Sequence, residues 1–205
     1  MKFDRIIKTI FLVEFIKALT SAWIFKNNSS LINDQFSFYL PNGVNTSFFK
    51  PMNKQTCRNH LNLDPSAIYI LFVSSNRIRK QKRYDLFSKT IQILKTEYKL
   101  SKIKEIKLVN TNRDNVPYYF NAADLHLLTS DFEGSPNSVK ESMACNTPVV
   151  STNVGNSMEL LKDVRGSYVS KSSNPKELAF LVNKALNENS NNGLDKITNL
   201  GLDID

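Results

Sequence analysis

The sequence predicts an α/β fold: a single Rossmann-like domain with a parallel sheet flanked by helices, preceded by a helical N-terminal segment. Three observations lead there. From Ile68 onward, short apolar runs of strand length alternate with longer runs of helical period, and such alternation implies a parallel sheet covered by helices. The run Leu125-His126-Leu127-Leu128-Thr129 passes through a glycine and a Ser-Pro-Asn turn into a helix-like stretch, Ser138 to Cys145. Finally, Asn174-Pro175 opens a segment with Leu178, Leu181, Val182 and Leu186 on one helical face, with asparagine suited to the cap and proline to the first helical position.

Taken in order, the first 35 residues begin with Lys2, Arg5 and Lys8 ahead of an apolar run from Thr9 to Leu19. Glu14 and Lys17 interrupt that run, no small-residue cleavage site follows, and an uninterrupted span of about 18 apolar residues is absent, which argues against a secretory leader or a membrane span. On a helix, Glu14, Lys17 and Ser21 form a narrow polar stripe while Phe11, Phe15, Leu19 and Trp23 fall elsewhere. A packed helix, a remnant of a preceding domain and a helix lying on a membrane surface all fit this pattern. Strands are then expected at 68–74, 106–110, 125–129, 148–151 and 167–170, and helices at 83–98, 116–122, 137–145, 156–161 and 175–187. The domain organisation is 1–37 as the helical segment, 38–190 as the Rossmann-like domain, and 191–205 as a tail that opens a terminal helix.

Composition narrows the function classes only a little. The 205 residues are 41% apolar and 22% charged, ordinary for a globular protein. The net charge of +8 suits a phosphate-bearing partner. No nucleic-acid-binding signature accompanies it, so nucleic acid is not expected. Two cysteines, Cys57 and Cys145, make no disulfide framework and point to a reducing cytosol. Of the two histidines, His126 lies inside an apolar strand and reads as a core group. No Cys/His cluster has metal-ligand spacing, and neither a metal nor a cofactor is expected. No nucleophile-elbow phrase is present, and Ser135 is accounted for by helix capping.

The segment Asp131-Phe132-Glu133-Gly134-Ser135-Pro136-Asn137-Ser138-Val139-Lys140-Glu141 carries the functional signal. It occupies a strand-to-helix crossing, where parallel α/β sheets bind ligands. Ser135 is expected as N-cap and Pro136 as the first helical residue, which would aim the N–H groups of Asn137, Ser138 and Val139 at an anion. Gly134 would admit close approach of a ligand to the main chain. Glu133 in the loop and Glu141 about one and a half turns into the helix are too far apart for one acid pair. They read as two separate hydroxyl acceptors. Upstream, Ser75-Asn76-Arg77-Ile78-Arg79-Lys80-Gln81-Lys82-Arg83 puts five cations in seven residues directly after a strand.

These residues resemble the donor-binding signature of the family 4 retaining glycosyltransferases, enzymes of the two-domain GT-B fold. The likeness extends over YYFNAAD (118–124), LLTSDFEGSPNSVKE (127–141), MACNTPVV (143–150) and STNVG (151–155). It also takes in Leu40 to Asn45 with Phe49-Lys50-Pro51, which is similar to the family's interdomain segment. The resemblance implies one half of a GT-B fold that binds a nucleotide-diphosphate sugar and transfers a hexosyl group to a hydroxyl of a glycan or lipid-linked acceptor. It implies Arg77 and Lys82 on the diphosphate, with Arg79 a rival for the arginine. Glu141 would then lie on the ribose and Glu133 against the sugar, so that Glu133, Lys82 and Arg77 are the catalytic candidates. The acceptor-binding domain would be a separate N-terminal unit, and peripheral contact with a membrane's inner face is compatible with such acceptors. The alternative is a truncated, non-catalytic sugar-nucleotide-binding module that needs a partner domain.

Overall fold

The computed structural model describes residues 42–75, 78–188 and 190–204, together with two short strands, β1 (Trp23–Phe25) and β2 (Ser37–Tyr39), which pair in parallel. The chain divides into two units, Met1–Pro41 and Asn42–Asp205. In the first unit, the helix expected over the N-terminal segment lies outside the described residues, except that Trp23 belongs to β1.

The second unit is built on β3 (Val44–Asn45), α1 (Lys54–His60), β4 (Ile68–Val73), α2 (Tyr84–Thr96), β5 (Ile103–Leu108), α3 (Val116–Ala122), β6 (Leu125–Leu128), α4 (Asn137–Ala144), β7 (Val149–Ser151), α5 (Ser157–Leu161), β8 (Tyr168–Val169), α6 (Pro175–Leu186), α7 (Gly193–Asn199) and β9 (Asp203–Ile204). Its central sheet has five strands in the order β5-β4-β6-β7-β8, all parallel. The expected α/β class with a parallel sheet and flanking helices is the observed one.

The period-2 pattern of the strands sorts the core into two layers. Tyr69 and Leu71 of β4 face one way, with Phe120, Val139, Met143 and Ala144 of α3 and α4. Ile70 and Phe72 face the other way, with Leu86, Phe87, Ile91 and Leu94 of α2 and Leu178, Ala179 and Val182 of α6. Strands buried on both faces read as continuous apolar runs, which is why β4, β6 and β7 were legible. β5 is the sheet edge and starts three residues earlier than expected. Only Ile103, Ile106 and Leu108 are buried there, while Lys104 and Lys107 face solvent, as edge strands favour.

Two parts were not foreseen. Helix α1 is capped by Asn53, whose side chain accepts from Thr56 N–H. Its Arg58 is buried, donating to the carbonyls of Ala122 and Pro65 and to Asp124 at 2.6 Å. The stretch 191–205, expected as a tail that opens a terminal helix, does supply the helix α7, and beyond expectation also the strand β9. The backbone of Gly193 lies so near Met143 that a Cβ would stand 2.6 Å from its carbonyl oxygen. β9 pairs with β3, with Val44 N–H donating to Leu202 O at 2.7 Å.

Candidate functional site

In the order β5-β4-β6 the connection from β4 leaves toward one edge and the chain returns to β6 on the other side. A crevice therefore opens at the carboxyl ends of these strands, the usual ligand position in open α/β sheets. The structure has a cleft there of about 540 Å³. Val73, Ser74 and Ser75 from the end of β4 and Leu108, Asn110 and Thr111 from the end of β5 form one wall. Glu133, Ser135 to Ser138 and Glu141 form the other.

The loop after β6 is tied to the basic turn after β4. Thr129 Oγ1 donates to the carbonyls of Lys82 at 2.8 Å and Arg83 at 3.1 Å, and Asp131 N–H donates to Gln81 O. Arg83 adopts φ of +49° at the start of α2. Its guanidinium binds both carboxylate oxygens of Asp85 and one of Asp131, which raises its pKa further. Arg83 therefore holds the two loops together rather than facing the cleft. Arg77 lies outside the described residues. Arg79 is exposed and lines the cleft.

Lys82 and Glu133 also line the cleft, but they meet each other: Lys82 Nζ is 2.6 Å from Glu133 Oε1, with each side chain 17% exposed. Ser130 Oγ donates to the same carboxylate oxygen at 2.7 Å. Lys82 and Glu133, each expected to face a ligand, thus form an ion pair with each other within the cleft.

The start of α4 also differs from expectation. Pro136, not Ser135, is the cap residue, and it has extended backbone and no capping side chain. Ser135 Oγ instead accepts from Lys140 Nζ at 3.2 Å. Lys140 is fully buried and reaches Asn42 O at 2.6 Å as well, so the helix start is held by a buried cation rather than by a hydroxyl cap. The N–H of Val139 turns back to Pro136 O, and its side chain packs in the core. Val139 thus falls out of the anion-facing set. The N–H groups of Asn137 and Ser138 have no intramolecular partner among the described residues, as at a helix start open to an anion.

Glu141 faces the cleft from inside α4, and its carboxylate accepts no hydrogen bond among the described residues. Burial pushes its pKa up, with Arg113 and Lys140 opposing. Gly134 has open space on the side where a Cβ would project. Gly155, at φ of +53°, supports the loop from behind, where a Cβ would stand 2.0 Å from Gly134 O.

Asn121 and Asp124 of the YYFNAAD phrase lie away from the cleft. Asn121 Oδ1 accepts from Met52 N–H at 2.7 Å, and its amide donates to Lys50 O and Pro117 O. Asp124 binds Arg58, Lys54 and Tyr69 N–H. Both residues brace the fold. Arg113 is a charged cleft residue that sequence reasoning missed. It stands in the turn before α3 with its guanidinium 5.4 Å and 5.6 Å from the ring centroids of Phe48 and Phe49. A lone arginine in a polar loop gives no local signal.

Residues 98–199 match the family model described as "Glycosyl transferases group 1". No curated protein sequence matches the chain. Among solved structures, Alr3699/HepE from Anabaena in complex with UDP is similar over 89% of this chain and 60% of its own, at 17% identity and a TM-score of 0.67. Sucrose-phosphate synthase (tll1590) from Thermosynechococcus elongatus is similar over 82% of this chain and 49% of its own, at 18% identity and a TM-score of 0.63. The C-terminal domain of the glycosyl transferase group 1 family protein LpcC from Francisella tularensis is covered entirely, over 80% of this chain, at 21% identity and a TM-score of 0.59. The chain thus spans 49% to 60% of the length of the first two, and its second unit has the fold of one half of a GT-B enzyme. No helix among the described residues is long and apolar enough to cross a membrane.

Proposed function

We propose, from the premise that residues 98–199 form a glycosyl transferases group 1 domain, that this chain is the donor-binding part of a retaining glycosyltransferase. It would take a nucleotide-diphosphate sugar and pass its hexosyl group to a hydroxyl of a glycan or lipid-linked acceptor. The observation that carries this reading is the cleft at the strand crossing. One wall offers cations, Arg79 and Lys82, while among the described residues the helix start offers N–H groups of Asn137 and Ser138 without a partner and Glu141 stands deeper with a carboxylate that accepts no hydrogen bond. Cations and oriented N–H groups suit a diphosphate. A carboxylate that accepts nothing from the described residues suits a ribose hydroxyl. The HepE structures in complex with UDP and with UDP-glucose support the same ligand class.

Chemistry at such a site is electrostatic. Arg79, Lys82 and the two N–H groups would stabilise the charge that gathers on the diphosphate as it leaves, in a setting where oriented donors need no reorganisation. Acceptor binding is assigned outside residues 42–204.

Calorimetric titration of the full chain with a panel of nucleotide-diphosphate sugars, UDP-glucose among them, tests the proposal, followed by a transfer assay that reads nucleotide release with and without acceptors. At least one donor is expected to bind, and Lys82→Ala or Arg79→Ala is expected to weaken it by about 1.5 to 3 kcal/mol, the range for hydrogen bonds to charged groups. A chain that binds donor but turns it over only with an added partner domain fits the binding-module alternative. Absence of binding across the panel would refute both.

A further inference from the structure

We infer that Glu133 is a specificity-determining residue: in the ligand-free protein its carboxylate occupies the place on Lys82 that a ligand phosphate takes, so that only a diphosphate-bearing ligand opens the cleft. This deepens the donor-site reading and rests on it. Lys82 Nζ and Ser130 Oγ converge on the same oxygen, Glu133 Oε1, at 2.6 Å and 2.7 Å. Ser130 is 1% exposed, and its carbonyl accepts from Thr152 Oγ1 at 2.7 Å. The carboxylate is therefore held from a rigid side of the loop and presented to a lysine on the opposite one. With each side chain only 17% exposed, solvent screens the pair less than it would an ion pair at the surface.

An incoming anion meets a neutralised lysine with a carboxylate in front of it. To reach Lys82 it must displace Glu133, and it receives no compensation for the Ser130 hydrogen bond lost. A phosphate that contacts Lys82 alone offers little more than Glu133 already provides. A diphosphate is long enough to engage Arg79 and the N–H groups of Asn137 and Ser138 while it takes Lys82, and those additional contacts tip the exchange. Discrimination here comes from an internal competitor as much as from attraction.

Titration of the full chain with inorganic diphosphate and inorganic phosphate tests the latch. Glu133→Gln removes the competing charge, and Ser130→Ala loosens the carboxylate without changing any charge. Both variants are expected to bind inorganic diphosphate about tenfold tighter than the unsubstituted chain, the size of one hydrogen bond to a charged group. The gain should vanish when Lys82→Met is added, and inorganic phosphate should gain more than diphosphate does. Ser130→Ala is decisive, because simple relief of charge repulsion would tighten Glu133→Gln alone. Ser130→Ala binding no tighter than the unsubstituted chain would overturn the latch, as would failure of every form to bind either probe. Thermal melts check folding, and Ser130→Cys, a weaker donor of similar size, replaces the alanine variant if that variant does not fold. The nucleotide-sugar titration of the unsubstituted chain decides the donor-site reading separately.

Discussion

A Cβ on Gly155 would stand 2.0 Å from the carbonyl oxygen of Gly134. The two glycines meet, one with open space where its Cβ would project and the other closed against the loop. Gly155→Ala must shift that backbone and also hold an L side chain at φ of +53°. Left-handed backbone costs roughly 1 to 2 kcal/mol, and overpacking a further ~1 to 3 kcal/mol. The expected outcome is a lower melting temperature together with weaker nucleotide binding, read by calorimetry. Gly134→Ala, with open space around it, should keep the melting temperature.

Glu141→Gln is expected to separate binding from stability. Burial raises the pKa of this carboxylate, so its ionised form is less favourable in the folded chain than in the unfolded one. The neutral amide should therefore raise the melting temperature at neutral pH. It should also weaken the bare nucleotide diphosphate and the intact donor alike, by about 1.5 to 3 kcal/mol if a ribose hydroxyl donates there. Loss of stability with unchanged affinity would remove Glu141 from the site.

His126 gives the fold a pH dependence. It is fully buried; its Nδ1 is 2.8 Å from Ser142 Oγ and its Nε2 has no partner among the described residues. Burial, helped by the charge of Lys82, pushes its pKa down from 6.5 to about 3. The unfolded chain takes up the proton below pH 6.5 and the folded chain does not. Its contribution is therefore complete above the unfolded value, falls as the pH drops through that window, and levels off below the folded value. The slope is about 1.4 kcal/mol per pH unit, or about 2 kcal/mol between pH 7 and pH 5. Denaturant titrations at the two pH values should show this difference, and His126→Leu should flatten it.

Asp124→Ala should destabilise without touching the site. It leaves the buried Arg58 guanidinium without its carboxylate and the Tyr69 N–H without its acceptor. Breaking a buried pair costs about 3 to 5 kcal/mol, and Asp124 is 21% exposed, which places the expectation at about 2 to 3 kcal/mol. Chemical denaturation measures the loss, and the affinity for nucleotide should be unchanged.

What the sequence revealed follows from where information is local. β6 and α6 were legible because apolar period and the Asn174-Pro175 start report burial and capping directly. The Glu133 to Glu141 segment was legible as a strand-to-helix crossing for the same reason. The pairing of Lys82 with Glu133 was not, because residues 51 positions apart meet only through the strand order. Ser130 and Arg113 carry no local pattern at all. The cap at α4 was misread because Ser135 is a good cap by type, and nothing nearby in sequence shows that Lys140 reaches back to claim its hydroxyl.

The parallel pairing of β3 with β9 makes the second unit a closed loop, its first and last described strands fastened side by side. Asn42, two residues before that clasp, holds the ammonium of Lys140, which in turn holds Ser135 at the cleft. Strain applied at residues 202–204 thus has a short mechanical route to the cleft loop: through the clasp, into a carbonyl, along a buried lysine. A perturbation far from the cleft in sequence, such as a bulky residue in place of Gly43, whose Cβ would stand 2.7 Å from Ile204 Cγ2, works as a lever on the cleft wall.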